Sequence, residues 1–405
     1  MPASRRSPEV LKRTVEQGGH SPSFQQASQQ LKRLLNVDIG TKETQRLTEH
    51  TGRQWIKARD EQVEQFKQGT LARLHAQAPQ ATVVMVDGGR SQVRADDAGP
   101  GVHDPGWREV KYASLATLAS RAVALDPQPE PPSKLLNPER VKKIVEQMHD
   151  QHVPVRKQAA AKTVAPARKR RRANVNKRIT RLLTTFVASM QNSEQFGYMV
   201  AAEAYTRGLD QAERKAYVCD GLPYNWSIYE EHFRGWGFVP ILDFLHLLGY
   251  LYAAAHALEN HHGWKAWQCY EQWLRWAWSG QRQKLLAALQ SASTTVGLPP
   301  KDAAEQDRRA VVARALDYVG NNYDRIDYPS YRKAGLPCSS APMESAVKQF
   351  SRRVKGTEKF WLEDGAEAVL QVRAACVSQD DRLERLWARP ALPHAYGSNW
   401  RRIAS

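Results

Sequence analysis

Cysteine is scarce in this chain: four in 405 residues, Cys219, Cys269, Cys338 and Cys376, all far apart. No pair has the spacing of a zinc finger or a redox motif, and scattered thiols fit a reduced, cytosolic compartment rather than a disulfide scaffold. Long apolar runs are missing as well. The most apolar stretch, 238–258, carries Asp243 and His246 near its start, which argues against a membrane span. The opening Met-Pro-Ala-Ser-Arg-Arg lacks the apolar region of a signal peptide. Acidic residues vanish between Asp150 and Glu194, and no internal repeat is evident.

What is abundant is positive charge. The net charge is +17, and eleven basic residues fall between Arg156 and Arg181, including the consecutive Arg168, Lys169, Arg170, Arg171 and Arg172. Such an excess favours a polyanion, nucleic acid or an anionic membrane surface. The lack of a span leaves nucleic acid ahead. Apolar residues make up 41% of the chain and twelve are tryptophans, enough for a sizeable core. The length points to two or three domains.

Residues 1–22 read as polar and frayed. Phe24, Ala27, Leu31 and Leu34 recur at helical spacing. A turn at 36–40 follows, then a helix capped by Thr41 and carrying Thr44, Leu47 and Thr48. Together they make a helix-turn-helix candidate, or else an ordinary helical hairpin. The run Ala81–Asp87 reads as a strand ended by Gly88-Gly89, with further strands at 91–94 and 107–118 in an antiparallel meander. A proline-rich linker at 126–138 leads into a helix at 138–149. Residues 177–209 read as an amphipathic helix. Strand, helix and strand follow at 215–220, 226–233 and 238–243, in a pattern that calls for parallel pairing. Residues 247–330 are helical, with Trp264, Trp267, Trp273, Trp276 and Trp278 as core. Two more helices span 343–355 and 363–378.

Three carboxylates stand at unusual places. Asp87 and Asp220 end apolar strands beside glycine, and Glu344 opens a helix after a Ser-Ser-Ala-Pro turn. Singly, each is a good turn or helix-start residue. A carboxylate among apolar β-residues is nevertheless costly to bury unless paired or metal-bound. Two or three hard oxygen ligands suit Mg²⁺ or Mn²⁺, and two such ions can drive in-line displacement at a phosphodiester.

Three blocks carry a family resemblance. The first is Val-Asp87-Gly-Gly-Arg-Ser-Gln-Val-Arg94 with Trp107-Arg-Glu-Val-Lys111. The second is Asp220-Gly-Leu-Pro-Tyr-Asn-Trp226 followed by Ile-Leu-Asp243-Phe-Leu-His246. The third is Ser339-Ser-Ala-Pro-Met-Glu344-Ser with Lys348, Arg353-Val-Lys-Gly-Thr357 and Phe360-Trp361. In this order they resemble bacterial insertion-sequence DDE transposases of the ISKra type, relatives of the Mutator-like enzymes.

The resemblance implies an α/β fold: a ribonuclease-H-like mixed sheet with flanking helices. Its first aspartate sits on the first strand, the second just past the fourth, and the glutamate on a late helix. It divides the chain into a helical, helix-turn-helix-like DNA-binding region (1–78), a first catalytic part (79–256, including the basic, partly helical 126–210), an all-helical insertion (257–338) and a C-terminal catalytic part (339–405). The implied activity is metal-dependent cleavage at element ends and strand transfer. Asp87, Asp220 and Glu344 would hold two Mg²⁺ or Mn²⁺ ions, with Asp243 and His246 as auxiliaries. Lys348, Arg352 and Lys355 would contact DNA, as would Arg168 to Arg172. The alternatives are a nuclease of the same fold without strand transfer, or a transposase-derived DNA-binding protein. Expected partners are the terminal inverted repeats, target DNA and further copies of the chain in a synaptic multimer, with no membrane. The expected location is the cytoplasm, at the nucleoid. Family members often carry cysteine pairs ahead of the core. None precedes Cys219 here, so recognition of the ends falls to the helix-turn-helix candidate. His256, His261, His262 and Cys269 match no zinc pattern.

Overall fold

The computed structural model describes residues 7–74, 77–94, 106–149, 179–259, 265–355 and 361–388; the side chain of Glu344 is outside that description. The basic run up to residue 178, with Arg168 to Arg172, also lies outside the described residues, as do Trp264, His261 and His262.

The chain is a mixed α/β structure built on a five-stranded sheet. Its strands are β1 (Ala81–Val93), β2 (Gly106–Ser120), β3 (Ile179–Ser189), β4 (Arg214–Cys219) and β5 (Val239–Leu242). They lie in the order β3-β2-β1-β4-β5. The β1–β2 and β2–β3 pairs are antiparallel, while β1–β4 and β4–β5 are parallel. The central position of β1 explains its near-continuous apolar run, since both of its faces are covered. Residues 81–87 are all buried.

The helices in chain order begin with α1 (Pro8–His20), α2 (Phe24–Leu35), α3 (Thr41–Lys67), α4 (Pro138–His149) and α5 (Ser193–Thr206). A short α6 (Pro223–Ile228) runs into a π turn at Tyr229–Phe233, and α7 is Phe244–Ala257. Next come α8 (Ala266–Trp278), α9 (Arg282–Val296), α10 (Arg308–Asn321) and α11 (Tyr328–Lys333). The last three are α12 (Ala341–Val354), α13 (Glu363–Val377) and α14 (Arg382–Ala388). Phe350 of α12 meets Tyr112 of β2 and Phe186 of β3. Arg207, at the C-terminal end of α5, bonds the Thr185 hydroxyl at 2.8 Å. Neighbouring residues of a strand point to opposite faces, so α12 and α5 cover opposite faces of the sheet. No helix among the described residues is long and apolar enough to cross a membrane.

Several expectations are corrected. Gly88-Gly89 does not end the first strand: β1 continues to Val93, paired with β2 along its whole length. The glycines serve close approach instead. A Cβ at Gly89 would come within 2.9 Å of the Tyr112 ring, and one at Gly88 within 2.7 Å of the Tyr224 hydroxyl. Glycine inside a strand often marks such contacts. Residues 179–189 are strand β3, not helix. Their Ile, Thr, Val and Phe content favours a pleated surface, and exposure alternates along the first half. The helix starts only at Ser193, where the Asn192 side chain accepts the Gln195 N–H at 2.9 Å.

Residues 8–20 are not frayed. Ser7 caps α1, Pro8 opens it, and Leu11, Thr14, Val15, Gly18 and Gly19 are buried. Small residues make up most of that face, so the chain shows no broad apolar stripe. Phe24, Ala27 and Leu31 pack inward, but Leu34 is 74% exposed. Gly40, not Thr41, occupies the cap position of α3. The inward side of α3 is Thr44, Leu47, Thr48, Thr51 and Gly52. At the far end of α1, the carbonyls of Gly18 and Gly19 accept hydrogen bonds from the buried Arg353 and Arg373, cations well placed at a helix C-terminus.

Helices α1 and α3 rest on α13, which is buried from Gly365 to Ala375. A Cβ at Gly52 would lie 2.1 Å from the Ala368 carbonyl oxygen, a backbone atom that cannot swing aside. Gly52→Ala should therefore push α3 off α13 and cost about 3 kcal/mol, a fall in Tm of roughly 3–4 °C. Gly40→Ala, with no atom within 4 Å of its Cβ, is the control. Equal melting temperatures for the two variants would refute the close crossing. In the region 257–338, Tyr270, Trp273 and Trp278 are core residues, while Trp267 and Trp276 are half-buried. One contiguous apolar cluster joins these helices to the sheet.

Candidate active site

The parallel register of β1 and β4 pairs Val86 with Cys219. The next residue on each chain is Asp87 and Asp220, so the two aspartates stand side by side where β4 ends, about one strand spacing (~4.8 Å) apart in backbone. Asp87 is 7% exposed and accepts the Gly88 N–H at 2.8 Å on Oδ1. Asp220 is half-buried. Its Oδ1 accepts the Leu222 N–H at 3.0 Å and the Asn225 side-chain amide at 2.7 Å. Asn225 is itself fully buried, and its carbonyl accepts the Tyr217 hydroxyl at 2.9 Å. The chain turns away at Gly221 with φ +90, a region that favours glycine. The space beside it is filled by Tyr318, whose hydroxyl donates to the Asp220 carbonyl at 2.5 Å.

Asp243 ties the remaining pieces together. It follows β5, and its N–H donates to the Cys219 carbonyl at 2.8 Å, immediately before Asp220. Its fully buried carboxylate caps α7 by accepting the Leu245 N–H at 3.1 Å. It also accepts the Ser340 N–H at 3.1 Å and the Ser340 hydroxyl at 2.7 Å. Its fourth partner is His246 Nδ1 at 2.6 Å. Ser340 is the N-cap residue of α12, and Glu344 lies in the first turn of that helix. Directly opposed residues of antiparallel strands share a face. Tyr112 opposes Asp87 and packs on Phe350 of α12 at 5.1 Å between ring centroids. The helix bearing Glu344 thus covers the face of the sheet on which Asp87 lies.

Burial drives the Asp243 carboxyl upward, but the hydrogen bonds of His246 and Ser340 outweigh it and hold the group below its usual range. Burial likewise pulls the His246 imidazole down. The hydrogen bond and charge of Asp243, followed by the charges of Asp220 and Asp87, override it and raise the imidazole to about 9. His246 is therefore a cation at neutral pH, within Coulomb reach of both aspartates. Its folded value lies above the ordinary ~6.5, so the stability it lends is complete below about 6.5 and is lost as pH rises through about 9. An NMR titration should place the His246 ring midpoint near 9; a midpoint near 6.5 would contradict the arrangement.

Of the other sequence-predicted residues, Lys348 and Arg352 are exposed on α12. Lys355 is half-buried just past the helix end, its ammonium pulled down by burial and then by the charge of Arg90. Among the described residues no three His, Cys, Asp or Glu side chains gather as a metal site. The described donors are the aspartate pair. Its chemistry fits a hard divalent cation: both hydrogen bonds to Asp220 fall on Oδ1, which leaves Oδ2 as the oxygen able to take one. Asn225, Ser340 and Tyr318 were not singled out from sequence. The first two lie inside motif blocks, but Tyr318 carries no local signal at all. No family model matches the chain, and no curated protein matches it.

Proposed function

We propose that the chain is a DDE-type transposase that cleaves DNA at the ends of an insertion element and transfers the strand into target DNA. The observation that carries this reading is the register that sets Asp87 beside Asp220. Supporting it, the first aspartate sits on the first strand, the second just past the fourth, and Glu344 on a late helix pinned to the site through Asp243 and Ser340. That is the layout of the ribonuclease-H-like core that the resemblance implies. The net charge of +17 suits a DNA substrate.

Asp87, Asp220 and Glu344 are the residues that would hold Mg²⁺ or Mn²⁺. Such ions would activate a water or a 3′-hydroxyl and stabilise the leaving oxygen. The chain's own groups set the geometry. Asn225 and the Gly221 turn fix the Asp220 carboxylate. Asp243 fixes the start of α12, and His246 adds positive charge near the scissile phosphate. Lys348 and Arg352 on α12 are exposed for phosphate contacts.

The test is to incubate the full chain with DNA carrying the short inverted repeats that flank its gene. The expected result is cleaved and joined product in Mg²⁺ or Mn²⁺ and none in EDTA. Unaltered joining by Asp220→Asn or Glu344→Gln would overturn the assignment. Cleavage of branched DNA with no joined product would point to a nuclease. DNA retention without cleavage in either metal would point to a binding protein. A cation on the aspartates would also cancel part of the charge that raises His246, so adding Mg²⁺ should lower its titration midpoint from about 9.

A further inference from the structure

Two tyrosines outside the motif blocks adjoin the aspartate pair. Tyr250 lies on α7, one turn beyond His246, and Tyr318 lies on α10. Their rings stack nearly parallel, 3.8 Å between centroids and 12° between planes. Tyr318 is fastened to the site, since its hydroxyl donates to the Asp220 carbonyl and its ring fills the space that a Cβ at Gly221 would occupy. Tyr250 is 36% exposed. One of its ring faces is covered by Tyr318, so its exposure falls on the other face and the ring edge. The charge of Asp220 also reaches the Tyr250 phenol and, after burial, helps raise it.

Cations flank this ring pair. His246 is one helical turn before Tyr250 on α7. Arg314 is one turn before Tyr318 on α10, exposed and bonded to the Glu305 carbonyl rather than to a carboxylate. An aromatic face between cations, next to an acidic site, is the chemistry that holds an unpaired base and its phosphates. A base inside a duplex has both faces stacked and could not use it.

We propose that Tyr250, backed by Tyr318, is a stacking platform for one unpaired nucleobase of the DNA strand at the Asp87–Asp220 site. This rests on the reading of that site as one acting on DNA. The platform positions the strand: the base stacks on Tyr250 while the neighbouring phosphates meet His246 and Arg314. Any aromatic side chain at 250 should serve, because stacking is indifferent to the phenol hydroxyl.

The test uses the full chain and single-stranded oligonucleotides of the element end, each with 2-aminopurine at one position near the cleaved phosphate. Wild type should quench the fluorescence at one position, without added metal. Tyr250→Ala should abolish that quenching and slow cleavage about tenfold, while Tyr250→Phe and Tyr250→Trp keep both. Removing that base from the substrate should slow wild type by a similar factor and leave Tyr250→Ala unaffected. Quenching that survives in Tyr250→Ala overturns the platform, as does a Phe variant no better than the Ala variant. Absence of quenching at every position in wild type overturns it too, whether or not the chain cleaves DNA. If wild type joins DNA and Asp220→Asn does not, yet Tyr250→Ala behaves as wild type, the platform alone is wrong. If quenching depends on Tyr250 but Asp220→Asn joins DNA normally, the catalytic assignment alone is wrong.

Discussion

Asp87→Asn and Asp220→Asn should each lower metal-dependent cleavage and joining about a thousandfold. Divalent cations acting as Lewis acids supply several kcal/mol of charge stabilisation in such a displacement, and each 1.36 kcal/mol is tenfold in rate. An amide keeps the size of the carboxylate but removes its charge. The fold should survive, because Asp220 is half-buried and the Asn225 and Leu222 donors still find the amide oxygen. Retention of DNA in a gel-shift assay should stay near wild type, since phosphate contacts come from the basic groups. The paired measurement is joining rate against DNA retention. Parallel loss of both would mean that the aspartates hold the fold rather than the chemistry. Loss of neither would remove them from the site.

The second large effect is expected at Asp243. Its carboxylate is fully buried and serves four donors, among them a histidine held cationic at about 9. Asp243→Ala leaves that cation, the Ser340 hydroxyl and the Ser340 N–H without their acceptor. Removing one partner of a buried ion pair costs about 3–5 kcal/mol, which for a chain this long is a fall in Tm of roughly 4–6 °C. The damage should be directional. The start of α12 loses its attachment to β4 and β5, so joining should fall further than the loss of folded protein explains. Asp243→Asn keeps an oxygen for Ser340 and should recover much of the stability, but it lowers the His246 midpoint. Melting curves of the two variants, read beside the histidine titration, decide this. An unchanged Tm in Asp243→Ala would show that the hub contributes nothing to stability.

Much of the helical content was legible because it is written in local periodicity and punctuation. Helix α4 begins at Pro138 and ends at His149 as its proline start and spacing predict. The core tryptophans Trp273 and Trp278 and the helices α12 and α13 also follow from pattern. The misreadings share a cause. Gly88-Gly89 looks like a stop, and only the partners Tyr112 and Tyr224 reveal it as a point of close approach. Strand β3 alternates for only part of its length because α13 covers its far end. Helix α1 buries threonine and glycine, which carry no hydrophobic signal.

By itself, the sequence determined that Asp87 and Asp220 each follow an apolar strand run and precede glycine, that Glu344 falls at the start of a helix, and that the chain is strongly basic. Those are properties of neighbours in the chain, set by burial, propensity and charge. Only the tertiary structure decided that the two aspartates meet. Their proximity depends on β1 choosing β4 as its parallel neighbour in one register, and a shift of one residue would turn the side chains to opposite faces. The same holds for Asp243 reaching Ser340 and for Tyr318 reaching Asp220. Contacts between residues distant in sequence follow from how whole elements pack, and no local pattern records them.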